Sequence, residues 1–250
     1  MSREFTPRMA MIVPCFNESK RLRKDYWDFL VDRAEFVKWI FVDDGSSDNT
    51  LGILSTINKD TSTIQLKTNG GKSEAIRHGV TFALREYPSL ECVGYVDADM
   101  AFEKEGILDF CLTASDKLFE NNFDAVIGSR VKLAGRRIVR SSRRHFFARV
   151  IATVFGLFWD EIPYDTQCGL KLFKLSEEFR NSVLTPFKTR WLFDIELFMR
   201  IQEQKHADIA LYELPLSYWC EVGNSKVSGL EYLRIAKEVM SIIKLMLRKN

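Results

Sequence analysis

Apolar residues in this chain gather in short runs that stop at turn formers, and longer stretches of mixed polarity separate the runs. Runs at 9–15, 39–42, 64–67 and 92–96 are apolar or β-branched, which predicts strands. Stretches at 19–36, 47–58, 73–86 and 104–120 predict the intervening helices. Strands alternating with helices point to parallel βαβ units, joined by right-handed crossovers in a three-layer sandwich. A fifth buried strand is expected at 125–128. Beyond it the pattern predicts a helix at 142–159, a strand at 170–173 and a helix at 191–204. Two short strands at 209–214 and 217–221 and a closing helix at 228–248 follow. No repeat, low-complexity tract or linker interrupts the chain, so a single domain is expected.

Candidate chemistry sits where these runs end. Asp97-Ala98-Asp99 directly follows the run Cys92-Val93-Gly94-Tyr95-Val96. Open α/β sheets bind ligands at the carboxyl edge of their strands. Carboxylates held together there are costly unless they meet a cation, and a hard divalent ion carrying a diphosphate would satisfy them. An isolated Asp-x-Asp more often describes a solvated turn, so other segments must decide. Val13-Pro14-Cys15-Phe16-Asn17-Glu18-Ser19 ends the first run; Pro14 cannot continue a central ladder, and Ser19 suits the cap of the next helix. Val42-Asp43-Asp44-Gly45-Ser46-Ser47-Asp48-Asn49-Thr50 ends the second, with Ser47 or Asp48 as the cap and more carboxylates than a turn needs. Asn69-Gly70-Gly71-Lys72-Ser73 opens the third helix. It is not a phosphate-binding P-loop, because the first glycine of that motif would fall at Leu66. A lysine at a glycine-opened helix start still suits an anionic nucleotide. In a parallel sheet all four segments meet on one edge, where they would form a nucleotide-diphosphate and metal site.

Composition narrows the classes. The 250 residues are 46% hydrophobic and 28% charged, ordinary for a globular chain, and the net charge is only +2. Five scattered cysteines without C-x-x-C spacing argue for reduced thiols and against a disulfide framework or structural zinc. The N-terminal residues 1–8 are polar and mixed in charge, unlike a signal peptide, and no apolar run reaches the length of a membrane span. Charge is uneven, however. Residues 130–149 hold eight arginines and lysines and no acid. Nucleic acid is one partner for such a run, but the residues after it are greasy: Phe147, Val150, Ile151, Val154, Phe155, Phe158 and Trp159 would share one helical face. Basic residues beside such a face suit an anionic acceptor at a membrane interface, and a core-facing helix fits the periodicity equally. The closing helix repeats the theme with Leu233, Ala236, Met240, Ile243 and Leu247.

Taken together, these motifs resemble the inverting glycosyltransferases of family 2, and among them the polyprenyl-phosphate subgroup, nearest its dolichyl-phosphate glucosyltransferase members. Asp165-Thr166-Gln167-Cys168-Gly169-Leu170-Lys171-Leu172-Phe173 is the most specific string. Ile127-Gly128-Ser129-Arg130, Arg190-Trp191-Leu192-Phe193-Asp194-Ile195-Glu196 and Gly223-Asn224-Ser225-Lys226 add to it. The resemblance implies a GT-A (Rossmann-like) three-layer α/β/α sandwich with a mostly parallel central sheet. Residues 9–128 would form a nucleotide-sugar-binding half, 129–227 an acceptor-side half and 228–250 an amphipathic helix. It implies nucleotide-sugar contacts from Pro14, Glu18, Asp44, Lys72, Asp97, Ser225 and Lys226. A divalent metal (Mg²⁺ or Mn²⁺) would sit on Asp99, ahead of Asp97. Arg130, Arg140, Arg143 and Arg144 would bind the acceptor phosphate, with Asp165 and Asp194 positioning the sugar or the arginines. Asp97, Asp99, Arg130 and Asp165 form the implied catalytic set. Mannosyl-type relatives place a further glutamine ligand where this chain has Ala101. The implied reaction moves glucose from UDP-glucose to a polyprenyl or dolichyl phosphate at the cytosolic face of a membrane, with the chain held there peripherally or by a membrane-protein partner and no nucleic acid involved. GDP-mannose or UDP-N-acetylhexosamine donors, a glycan acceptor, or a non-catalytic nucleotide-sugar-binding role stay open from sequence.

Overall fold

A computed structural model describes residues 8–157, 163–223 and 229–247, without the side chains of 142–145, 147, 148, 229–233 and 245–247. The amino-terminal half alternates β1 (Met9–Cys15), α1 (Lys24–Arg33), β2 (Val37–Asp43), α2 (Thr50–Leu54), β3 (Ser62–Gln65), α3 (Lys72–Glu86), β4 (Cys92–Val96), α4 (Lys104–Glu120) and β5 (Ala125–Ser129). Then come β6 (Arg137–Val139), α5 (Ser142–Gly156), β7 (Leu170–Lys174), α6 (Glu177–Leu184), α7 (Phe193–Lys205), β8 (Leu211–Pro215), β9 (Tyr218–Cys220) and α8 (Gly229–Leu247).

Seven strands form one sheet in the order β3-β2-β1-β4-β7-β5-β8, and β6 pairs with β9 in a separate ribbon. The sheet is mostly parallel, as expected; only β7 runs against its neighbours β4 and β5. The buried strands read as continuous apolar runs because helices cover both faces. β1 lies where the strand order reverses, with β2 on one side and β4 on the other. Such a switch point opens a crevice at the carboxyl ends of the strands. Reversed β7 serves the same edge from its other end: Leu170 pairs with Val96, so the loop before β7 arrives beside Asp97.

Most buried apolar residues form one core around the sheet, including Trp27, Trp39, Phe41, Tyr95, Phe110 and Phe173. Each such side chain contributes roughly 1.5–3 kcal/mol by leaving water. A second, smaller cluster joins Ile151 and Phe155 of α5 to Leu192, Ile195 of α7, and Ile235 and Ile242 of α8. No disulfide joins the five cysteines. Among the described residues no helix is long and apolar enough to cross a membrane.

Several boundaries differ from the pattern. Helix α1 starts at Lys24, and Ser19 instead donates its hydroxyl to Asp48 at 2.6 Å, stitching two loops together. Helix α2 spans five residues only. Pro14 sits inside β1, which the proline tolerates because pairing with β4 stops at Ile12 and only the β2 side continues. β6 lies inside the basic run, and α6 was not expected at all. The buried stripe of α8 is Ile235 and Ile242, with Val239 beside them, whereas Met240 and Ala236 face outward. The apolar arc of that helix is wide enough to hold both sets of residues, so spacing alone does not select which part of it faces inward.

Candidate active site

The carboxyl edge gathers a cavity of about 660 Å³. Pro14, Glu18, Asp44, Lys72, Asp97, Asp99, Arg130 and Arg140 all line it. Asp165 is buried behind Arg130, off the cavity wall. The side chains of Arg143 and Arg144 lie outside the description, and Ser225 and Lys226 lie outside the described residues.

Loop geometry explains how the acidic side is held. Asn17 takes a left-handed conformation (φ 51°) and accepts from the Ser47 N–H at 2.9 Å. The Glu18 N–H reaches the Thr50 hydroxyl at 2.8 Å, joining the loops after β1 and β2. The Glu18 carboxylate is clamped by Arg21 at 2.7 and 2.5 Å. Asp44 accepts from the N–H groups of Gly70 and Gly71 at 2.8 and 2.7 Å and from the Asn69 amide at 2.9 Å. It therefore organises the glycine turn that opens α3, with burial pushing its carboxyl upward against those donors. Gly71 stands at φ +92°, and a Cβ there would meet the Arg190 guanidinium at 2.7 Å.

Asp97 pairs with Lys72 at 2.5 Å. Burial opposes charge on Lys72, but Asp97, Asp194 and Asp99 outweigh it and hold the ammonium charged. Burial, reinforced by the neighbouring Asp97 charge, pushes Asp99 up to about 6. Two carboxylates crowded to that degree fit a divalent cation, which would remove their repulsion. Among the described residues no group of three His, Cys, Asp or Glu side chains is placed to hold a metal ion. Gly169 is what admits the Asp97 side chain: its carbonyl accepts the Asp97 N–H at 2.9 Å, and a Cβ on it would fall 1.9 Å from Asp97 Oδ2.

Behind this pair lies a buried polar network. Tyr95 donates its hydroxyl to Asp194, and the fully buried Lys171 reaches Asp194 at 3.3 Å and the Cys168 carbonyl at 2.6 Å. Asp194 lines the cavity, so its predicted placement near the sugar is geometrically open, while its charge is met from behind.

Arg130 grips Asp165 through Nε at 2.6 Å and Nη2 at 2.7 Å, and Arg140 stands 3.9 Å from the same carboxylate. Burial would raise the Asp165 carboxyl, but Arg130 outweighs it and holds it down at about 2. Arg130 also stacks over Trp219, 5.0 Å from the ring centre. Sequence reasoning assigned no role to Arg21, Arg234 or Glu238, which also line the cavity, and left Arg190, Trp191 and Trp219 without a part. Arg190 and Trp191 stand in a string already singled out; the α8 residues carry no local signal because only tertiary packing brings them here. The cavity is polarised as a result. Toward β4 and the glycine turn it presents Glu18, Asp44, Asp97, Asp99 and Asp194 against Arg21, Lys72 and Arg190, whose guanidinium reaches Asn69; toward α5 and α8 it presents Arg130, Arg140 and Arg234 against Glu221 and Glu238.

The chain is similar to known proteins. The family model for glycosyl transferase family 2 matches residues 10–178. A dolichyl-phosphate beta-glucosyltransferase of Dictyostelium discoideum is 30% identical over 94% of this chain and 73% of its own length. The protein of the same name from Saccharomyces cerevisiae is 27% identical over the same shares. Among solved structures, glucosyl-3-phosphoglycerate synthase from Mycobacterium tuberculosis, crystallised with Mn²⁺, UDP-glucose and phosphoglyceric acid, superposes with a TM-score of 0.66. It is 14% identical, and the match covers 96% of this chain and 79% of that one. With its GT-A-like sheet and the carboxylates on its open edge, this chain belongs to glycosyl transferase family 2 and is a glycosyltransferase.

Proposed function

We propose that this glycosyltransferase moves glucose from UDP-glucose to a polyprenyl or dolichyl phosphate, with inversion and with a divalent metal, at the cytosolic face of a membrane. The observation that carries the reading is the polarised cavity: paired carboxylates with Lys72 on one side and arginines on the other. The names of the relatives support the lipid acceptor and the glucosyl donor.

Each side chain then has a task. The turn organised by Asp44 at the start of α3 faces the nucleotide, with the helix N-terminus favouring its negative charge. Asp99, with Asp97, would hold a divalent metal, which when bound would supply a Lewis acid for the departing diphosphate. Lys72 keeps Asp97 in place and offers a positive charge to the same diphosphate. Arg140 turns toward the acceptor phosphate, while Arg130 braces that wall through Asp165. An acceptor phosphate oxygen forms the new bond to the anomeric carbon as the bond to UDP breaks, and UDP leaves with the electron pair. The attacking oxygen is already anionic near neutral pH, so no strong general base is required.

The test is transfer from separate nucleotide sugars to polyprenyl phosphate with Mn²⁺ or Mg²⁺. UDP-glucose is expected to yield a glucosyl lipid. Product from GDP-mannose alone, or on a free sugar and never on lipid phosphate, would sink the reading.

A further inference from the structure

Helix α8 contributes to the wall facing the carboxylates. Arg234, Ile235 and Glu238, neighbours on successive turns of that helix, all line the cavity. Glu238 pins the helix there: its carboxylate accepts the backbone N–H groups of Arg190, Trp191 and Leu192, each at 3.0 Å. Its negative charge is thereby met by three peptide donors. Ile235 belongs to the cluster containing Ile151 of α5 and Leu192, so the cavity has an apolar side next to its arginines. Elsewhere on α5, Val150 is 42% and Phe146 71% exposed. Arg130, one of the arginines implied for the acceptor, directs two of its nitrogens at Asp165. Arg234 is an exposed residue that lines the same cavity from α8, next to Ile235 of the apolar cluster.

From this arrangement we infer that α8 supplies half of the acceptor site, Arg234 binding the phosphomonoester while Ile235, with Ile151 and Trp191, seats the first apolar carbons attached to it. Guanidinium forks match phosphate oxygens, and an adjoining apolar surface selects a phosphate that carries a hydrocarbon chain over one that carries a polar group. The inference deepens the lipid-phosphate reading and rests on it for the natural ligand.

Calorimetric titration of the full chain, with Mn²⁺ and UDP filling the donor side, tests it. The probes are isopentenyl, geranyl and geranylgeranyl phosphate. In the native chain affinity should rise with chain length. Arg234→Gln should weaken all three about tenfold, with UDP affinity and melting temperature unchanged; Arg234→Lys should recover part of the loss. Ile235→Ala should flatten the dependence on chain length. Equal binding of all three probes by native chain and folded Arg234→Gln would overturn the assignment, as would a native chain that binds none of them. The two levels separate cleanly. Binding losses as expected, with no glycosyl lipid formed from any donor, would remove the proposed reaction and leave the site. Glycosyl lipid formed with an unchanged acceptor KM in Arg234→Gln would remove the site alone.

Discussion

Gly169→Ala is the smallest change that should disable this enzyme. The added Cβ would fall 1.9 Å from Asp97 Oδ2 and 2.3 Å from its Cγ. Ordinary contact begins at 3.4 Å, so the carboxylate must retreat by about 1.5 Å. Backbone movement offers little relief, because the Gly169 carbonyl holds the Asp97 N–H and β7 is paired on both sides just beyond. A misplacement of about 1 Å costs on the order of 100-fold in rate, equivalent to roughly 2.7 kcal/mol of barrier. Overpacking costs stability too, about 1–3 kcal/mol. The assay is steady-state glucosyl transfer with a melting curve on the same sample. Gly106→Ala is the control: its Cβ would meet nothing nearer than 3.6 Å, and alanine favours the helix by roughly 0.5–1 kcal/mol. The expected result is a folded Gly169→Ala variant with kcat down about 100-fold, beside a fully active Gly106→Ala. Native turnover in a folded Gly169→Ala variant would refute the view that Asp97 must occupy that spot.

Asp99→Asn should lose turnover by roughly 100-fold or more, since a Lewis acid contributes several kcal/mol. Its melting temperature without metal should rise, because a carboxylate crowded by Asp97 is neutralised. Arg130→Met should leave Asp165 buried beside a weaker partner and cost about 3–5 kcal/mol in a denaturant titration, far more than a surface arginine would. The pH dependence follows from the depressed carboxyl. Asp165 contributes its full stability above pH roughly 4 and loses it as pH falls toward about 2, so the native chain should weaken across that window and Arg130→Met should lack that part of the slope. Glu238→Ala removes the acceptor for three N–H groups and should lower stability by about 1–3 kcal/mol, read as melting temperature, with acceptor KM raised more than donor KM.

The sheet was legible because both chemistry and burial follow strand ends. Each buried run, such as 92–96, stops at a group that cannot be buried cheaply, here Asp97. Four such ends on parallel strands had to share an edge. The reversed direction of β7 was not legible, since a strand of five residues looks the same in either direction. Short elements escaped for a similar reason: α6 has eight residues and β6 three, too few to show a period. In the site, carboxylates and Lys72 could be placed from local sequence, but their partners could not. Asp44 is legible as a loop carboxylate, but its hold on the Gly70 and Gly71 N–H groups is not. Arg130 is legible as a cation after a buried strand, but its pairing with Asp165, 35 residues away, is not. Arg234 and Glu238 enter the cavity only through the packing of α8 on α5 and α7.

In the proposed reaction the β4 edge holds the metal and the donor diphosphate. A crystal of the chain grown with Mn²⁺ and UDP-glucose, read by manganese anomalous scattering, tests it most directly. The account predicts an anomalous peak against the Asp99 carboxylate, with the diphosphate between that peak and Lys72. A peak and nucleotide lying away from Asp97, Asp99 and Lys72 would contradict it.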